Sequence, residues 1–349
     1  MSSSPSSPTL HHNPLFDTCI IFGGTGFIGS HFAAYLVHIN LFRRIILADI
    51  LPIRETFKTK LSNPSVSHSH VDVRVAPSQW LLPRDGVDLV ANFAAIHREP
   101  GHAAPEYYET NLLGAENVCQ FAQVVDCSNI IFTSSIAPYG PSESIKTEQS
   151  LPLPVSPYGC SKLVAEKIHG QWQRARPGRR LLIVRPGVVF GPGELGNVTR
   201  LVQATLRGYF MFMGNHETRK AAGYVKELAI SLMWMLDKIP SDGGELLYNF
   251  GMPDPPSVKE FVDTTFLVSG HRRLLLSLPY NLILTLAYII DFFAKPLRIR
   301  HPFSPVRIKK LVRSNNIRPQ VLVSMNYPFQ YSLYSAMLDW RSDSQAEWH

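Results

Sequence analysis

A 349-residue chain that is 45% hydrophobic and 17% charged can bury a large core, which excludes a disordered chain and suits one α/β domain plus a smaller one. Its formal net charge of +7 suits acidic partners, whether nucleotide phosphates or a membrane surface, without choosing between them. The four cysteines (Cys19, Cys119, Cys127 and Cys160) have no metal-type spacing, so reduced structural thiols in a cytosol are expected and a metal site is not.

Residues 1–14 are rich in Ser and Pro and lack both a basic and an apolar signal region, which predicts a disordered tail; His11 and His12 receive no role. From residue 15 to about 190, short apolar runs alternate with amphipathic ones, the pattern of a doubly wound parallel sheet covered on both faces. The predicted strands are Thr18 to Phe22, Arg44 to Ala48, Ser67 to Val71, Val87 to Asn92, Asn129 to Ser134 and Leu181 to Arg185. Ligands in such sheets bind beyond the carboxyl ends of the strands, so the residues there are the site candidates.

The first strand runs into Gly23, Gly26 and Gly29, after which Phe27, Ile28, Phe32, Ala33, Tyr35 and Leu36 fall at helical spacing. Strand, glycine turn and helix start together fit a dinucleotide cradle, in which the backbone approaches a pyrophosphate and N–H groups at the helix start hold its charge. Asp49 closes the second strand twenty residues beyond Gly29, where a carboxylate binds both ribose hydroxyls of NAD and repels the 2′-phosphate of NADP. Asp72, in Val71-Asp72-Val73, either hydrogen-bonds the adenine amino group or is an acidic turn residue. Phe93, Ala94 and Ala95 leave room for a cofactor to pass after the fourth strand. A helix is predicted over Tyr107 to Val125, with Asn111 the one polar group on its inner face; a surface or capping amide is the plain alternative.

Tyr158 and Lys162 open a further helix behind Pro157. Four residues apart, they share a face with about 6 Å of rise between them. A phenol is a poor base at neutral pH, and a neighbouring ammonium brings it toward working range. The same lysine can reach the nicotinamide ribose, while Ser135, past the fifth strand, can donate to the reacting oxygen.

Beyond Arg185, Pro186 and the turn-rich stretch to Gly193, the alternation loosens, and residues 191–349 are assigned mainly to substrate binding, with about 225–250 returning to the sheet. Helices are predicted over Asn197 to Leu206, Val225 to Leu236 and Val258 to Leu267, and strands over Tyr209 to Met213 and Leu246 to Phe250. The apolar run Leu274 to Ala294 contains Ser277, Pro279, Asn281, Thr285 and Asp291, too polar for a comfortable membrane span, so a packed or surface-lying helix is predicted. Basic residues from Lys295 to Arg318 follow, with no acid between Asp291 and Asp339. They read as a solvated face, a lipid-headgroup contact or a substrate-diphosphate contact.

The motifs Gly23-Gly-Thr-Gly-Phe-Ile-Gly29, Asn92-Phe-Ala-Ala95, Asn111-Leu-Leu-Gly114, Ser134-Ser-Ile-Ala-Pro-Tyr-Gly140, Tyr158-Gly-Cys-Ser-Lys162, Arg185-Pro186, Gly191-Pro-Gly193 and Tyr248-Asn-Phe-Gly251 resemble an extended short-chain dehydrogenase/reductase. Within it, the likeness is to the NAD-dependent sugar-nucleotide epimerase/dehydratase family, similar to its UDP-galactose 4-epimerases. That resemblance implies a Rossmann-type sheet with a smaller C-terminal substrate domain, and a bound NAD touched by the glycine turn with Phe27 and Ile28, by Asp49, Asp72 and Val73, by Phe93, Ala94 and Ala95, and by Asn111, Tyr158, Lys162 and Pro186. It implies Ser135, Tyr158 and Lys162 as the catalytic groups, with Tyr158 taking a sugar hydroxyl proton. Substrate contacts are implied at His97, Ser135, Asn197 and either Arg219 or Lys220; His97 is alternatively a satisfied loop histidine. The dehydratases' Thr-Asp-Glu is Ser135-Ile136-Ala137 here, which disfavours dehydration, and Val188 replaces a usual asparagine.

The leading expectation is therefore a cytoplasmic 4-epimerase of a UDP-hexose or UDP-N-acetylhexosamine, in polysaccharide biosynthesis. The resemblance further implies a homodimer and no nucleic-acid partner; a peripheral membrane contact through 274–318 is left open. The competing expectations are a membrane-associated 3β-hydroxysteroid dehydrogenase-like enzyme, a keto-sugar reductase, and a non-catalytic NAD-binding regulator.

Overall fold

The computed structural model describes residues 13–98, 101–213, 215–294 and 315–349. Most of the N-terminal tail, with His11 and His12, and the basic residues Lys295 to Arg313 lie outside the described residues.

Seven strands form one parallel sheet: β1 (Phe16–Phe22), β2 (Phe42–Asp49), β3 (Val66–His70), β4 (Val87–Asn92), β5 (Asn129–Thr133), β6 (Arg180–Pro186) and β7 (Gly244–Phe250), in the spatial order β3-β2-β1-β4-β5-β6-β7. The chain starts in the middle, winds out to β3, then returns past β1 to build the other half, the Rossmann arrangement. Since the strands are parallel, the carboxyl ends of β1, β4, β5 and β6 share one edge.

Alternation along β1 explains the two covered faces. Cys19 and Ile21 enter one core with Phe32 and Leu36 of helix α1 (Phe27–His38). Ile20 and Phe22 enter the other with Val118, Phe121 and Ala122 of α2 (Ala104–Val124) and Ala165 and Trp172 of α3 (Pro157–Arg174). Edge strand β3, reading Val-Ser-His-Ser-His, is mostly exposed and polar, which discourages pairing with another chain.

A third core gathers Phe190, Val202, Tyr224, Phe261, Met337 and Trp340. It draws on α4 (Asn197–Arg207), α6 (Val258–Ser269) and α8 (Leu333–Asp343), while α5 (Val225–Asp237) places Leu228, Leu232 and Met235 against the sheet beside α1. Ser257 and Glu260 form a capping box that starts α6.

The expected strand over Tyr209 to Met213 is reduced to Phe212–Met213. Gly208 ends α4 in the left-handed region (φ 81°), and the N–H groups of Tyr209 and Phe210 turn back to Ala204 O. The apolar run from Leu274 becomes a short strand, Ser277–Leu278, and then α7 (Tyr280–Ala294), with Pro279 between them. Among the described residues no helix is long and apolar enough to cross a membrane.

Candidate active site

The glycine turn is shaped by close backbone approach. Gly23 has φ 72°, and a Cβ there would lie 2.6 Å from Ala94 N; one on Gly29 would lie 2.4 Å from Gly23 O. Neither space tolerates a side chain. Gly26 is different: its Cβ position meets only Gly23 O, at 3.0 Å, and otherwise faces open space, directly before the first residue of α1. The first turn of α1 carries no acidic residue, so its N-terminal partial charge is available to an anion. Asp49 is pinned beside this turn, with Oδ2 accepting from Thr25 N at 3.2 Å and Oδ1 from Leu51 N at 3.1 Å. One bond per oxygen leaves lone pairs for two hydroxyls. Cradle, helix start and carboxylate together fit a dinucleotide.

The carboxylate of Asp72 is held by Arg74, which donates from Nε at 2.9 Å and Nη2 at 2.6 Å and keeps the acid below its ordinary range. Val73 is buried against α2, where Gly114 makes the room: a Cβ on it would meet Val73 Cγ2 at 2.9 Å.

Ser156 caps α3 by accepting from Gly159 N at 3.2 Å, behind Pro157 in the first turn. Gly159 lets this end of α3 lie on the turn after β5, since its Cβ position is 2.7 Å from Ala137 O. Tyr158 and Ser135 are thereby carried on touching stretches of backbone. Ser135 Oγ accepts from Ala137 N at 3.1 Å, which fixes the side chain and leaves its hydrogen to donate. The Tyr158 ring lies 6.1 Å from that of Tyr107 on α2.

Lys162, one turn further, is buried; its Nζ donates to Thr133 O at 2.7 Å and sits 4.8 Å above the Phe132 ring. Burial lowers its ammonium to about 7, and Glu166 opposes that fall. Glu166 is itself buried, taking two bonds from Arg185, Nε at 2.8 Å and Nη2 at 2.6 Å, and one from Ser134 Oγ. Arg185 lies 4.7 Å over the Tyr139 ring, and Tyr139 donates to Asn249 Oδ1 at 2.9 Å. A connected polar layer therefore runs behind Tyr158 and Lys162 from α3 through β6 to β7. Sequence reasoning missed Glu166, although an acid four residues after Lys162 was a signal for it.

Asn111 is buried, and its bonds go to protein: Oδ1 accepts from Ile96 N at 2.9 Å, while Nδ2 donates to Ile96 O at 3.2 Å and to Ser161 Oγ at 2.9 Å. It ties α3 to the loop after β4 that carries Phe93, Ala94, Ala95 and His97. Burial and the nearby Lys162 charge hold His97 below its ordinary value, so it is neutral at pH 7. Pro186 closes β6 and accepts from Ile136 N at 3.1 Å, next to Ser135.

The other predicted substrate contacts are less gathered. Asn197 is exposed in the first turn of α4. Arg219 is exposed and donates from Nη1 to Pro255 O at 2.7 Å, whereas Lys220 is half-buried, its ammonium lowered by burial against an opposing pull from Glu143.

Residues 19–251 match the profile of the NAD dependent epimerase/dehydratase family. The chain is similar to the N-acetyl-α-D-glucosaminyl-diphospho-ditrans,octacis-undecaprenol 4-epimerase of Escherichia coli O157:H7, 29% identical over 249 residues, 71% of this chain and 75% of that one. It is similar also to UDP-glucose 4-epimerase 2 of Oryza sativa subsp. japonica, 26% identical over 288 residues, 73% of this chain and 70% of that one. Among solved structures, the UDP-glucuronic acid 4-epimerase from Bacillus cereus in complex with NAD has the same fold, with a TM-score of 0.73 at 17% identity, covering 95% of this chain and 100% of that one. With the match spanning both the cradle and the Tyr158 helix, the chain belongs to the NAD-dependent epimerase/dehydratase family.

Proposed function

We propose that the protein is an NAD-dependent 4-epimerase of a UDP-hexose or UDP-N-acetylhexosamine. The observation that carries this reading is the convergence of Ser135, with its hydrogen left to donate, and the Tyr158–Lys162 pair at the sheet edge that also holds the glycine cradle. Gly23, Gly26, Gly29 and the start of α1 would hold the cofactor's pyrophosphate, and Asp49 its adenosine ribose. Bound NAD supplies a reversible acceptor for the hydrogen and electron pair on sugar C4.

Tyr158 Oη takes the proton of the sugar hydroxyl, and the Lys162 ammonium nearby favours the phenolate that this requires. Ser135 Oγ donates to the same oxygen, keeping it in place as its bonding changes. When the sugar has turned over in the pocket, Tyr158 Oη returns the proton. The protonation state of the enzyme is then restored and no second substrate is consumed. Ile136 and Ala137 offer no acid to eliminate water, so the reaction stops at inversion.

A homodimer through α2 and α3 is supported by exposed Tyr108, Leu113 and Val164 on those helices. We place the protein in the cytoplasm, with peripheral contact to a membrane. A second reading, in which the sugar diphosphate is carried on a polyprenol, is favoured by the activity named for the 29%-identical relative. The test is to denature the purified protein, identify the nucleotide released, and incubate native protein with UDP-sugars and with a polyprenyl-diphospho-sugar. Released NAD and formation of the C4 epimer are expected; steady accumulation of NADH on a hydrophobic alcohol would replace this reading with the dehydrogenase one.

A further inference from the structure

Helix α7 is apolar on more than the side it buries. Ile283, Ala287 and Ala294 are buried, the first two in a small cluster with Leu278, Tyr280 and Leu284 from the same segment. Leu282, Leu286, Ile289 and Phe293 recur at intervals of four, three and four residues and so form a second stripe, yet they are 49%, 47%, 48% and 65% exposed. Tyr288, Ile290 and Phe292 widen it, and Asp291 is the one charged residue in the helix. A helix of this kind belongs where both sides leave water. Surface patches of such contiguous apolar groups mark contact sites.

The fifteen described residues rise about 22 Å, short of the roughly 30 Å hydrocarbon core, and a helix of this length and composition suits lying in the interface. Charge decides what covers the stripe. Exposed Arg272 and Arg273 precede the helix, and the sequence after it brings Lys295, Arg298, Arg300, Arg307, Lys309, Lys310 and Arg313 with no acid before Asp339. In a two-fold contact between copies, these cations would face one another. Anionic headgroups would instead neutralise them while acyl chains take the apolar side chains.

We propose that the outward stripe of α7, Leu282, Leu286, Ile289 and Phe293, lies in the surface of an anionic lipid bilayer. The placement has a consequence for the cleft. Leu276 O accepts from Phe212 N at 2.9 Å, so the segment leading into α7 is stitched to the strand that comes shortly before Arg219 and Lys220. The outward stripe is thereby tied through the chain to the segment that leads to Arg219 and Lys220, whatever the reaction turns out to be.

The full-length protein is floated with vesicles of phosphatidylcholine alone and of phosphatidylcholine mixed with phosphatidylglycerol. Binding to the mixed vesicles, weakened by salt, is expected, with little binding to the neutral ones. Leu286→Glu with Phe293→Glu should lower vesicle binding at least about tenfold for each side chain while leaving thermal melting and turnover of a soluble substrate unchanged. Leu81→Glu, at a still more exposed apolar site elsewhere, should change nothing. Failure of the folded wild-type protein to float with anionic vesicles overturns the proposal. So does undiminished floating of the double variant, or a double variant whose chief change is the loss of a dimer in sedimentation velocity. Loss of epimerase activity with flotation intact would strike the functional reading and leave this one standing.

Discussion

The nucleotide contacts and the substrate contacts we propose are built by different means. On the nucleotide side, glycines pressed against backbone, a carboxylate pinned by two N–H groups and a lysine buried over a phenyl ring leave little freedom. On the substrate side, Asn197 is exposed at the start of α4, Arg219 is exposed and Lys220 only half-buried, the last two joined by isolated bridges to Ser257 and Asn315. The difference separates what the fold fixes in advance, the cofactor and the proton-transfer groups, from what can change with the sugar. Mutations in the two places should therefore fail differently.

The largest effect is expected at Tyr158. Tyr158→Phe removes the one oxygen that moves the proton and should lower kcat by about two to four powers of ten with NAD still bound. Near-normal turnover in stopped or continuous assays would remove Tyr158 from this role.

Glu166→Gln tests the layer behind the catalytic pair. Arg185 would lose its buried counter-charge, at a cost of about 3 kcal/mol or more in unfolding free energy. Lys162 would lose the carboxylate that props up its ammonium, so its pKa would fall below the present value of about 7. The ammonium would then be lost at lower pH, and the alkaline limb of kcat/KM should move to lower pH. An unmoved limb in a destabilised protein would leave Glu166 a purely structural role.

The substrate side should give smaller, binding-type changes. Lys220→Ala is expected to raise KM for the sugar nucleotide by roughly tenfold, the worth of a charge-assisted contact, with kcat and NAD content near normal. Arg219→Ala, at an exposed group already bonded to Pro255 O, should change KM by less than about threefold. The reverse order would exchange their assignments.

Legibility from sequence follows the same division. The strand–glycine–helix unit, Asp49 and the Tyr158–Lys162 spacing are local patterns, each contained within about thirty residues, so period and turn chemistry reveal them. Which face of the sheet each residue of β1 takes was not legible, because Cys19, Ile20, Ile21 and Phe22 are all apolar and only the structure separates Cys19 and Ile21 from Ile20 and Phe22. Pairing of Ser142–Lys146 with Asn315–Ile317 was not legible, because its partners are far apart in sequence and neither is strongly apolar. Tyr209 and Phe210 misled because their β-forming side chains were outweighed by the helix stop at Gly208. Asn111 was recognised as an inward polar group, yet only the structure shows that its amide binds Ile96 and Ser161.

Near neutral pH the smallest effect is expected where the two sides are joined. His31 on α1 donates from Nε2 to Pro192 O at 2.9 Å, linking the nucleotide helix to the Gly191–Gly193 turn that leads into α4. It is packed edge-on against Phe27 and Phe57, and burial lowers its pKa to about 4, as it does for His169 beneath Asn92. The folded value lies below the unfolded value of about 6.5, so between the two the unfolded chain binds protons that the native protein does not. Stability contributed by the neutral rings is complete above pH 6.5 and is lost as pH falls toward 4, by roughly 1.4 kcal/mol per pH unit for each histidine. His31→Gln keeps an amide N–H for Pro192 and removes one titrating group, so it should flatten the fall of Tm between pH 6.5 and 4 without lowering Tm greatly at pH 7.5. If instead the slope were unchanged and Tm at pH 7.5 dropped, the ring would matter for its packing against Phe27 and Phe57, and the joint between the two sides would be apolar in origin.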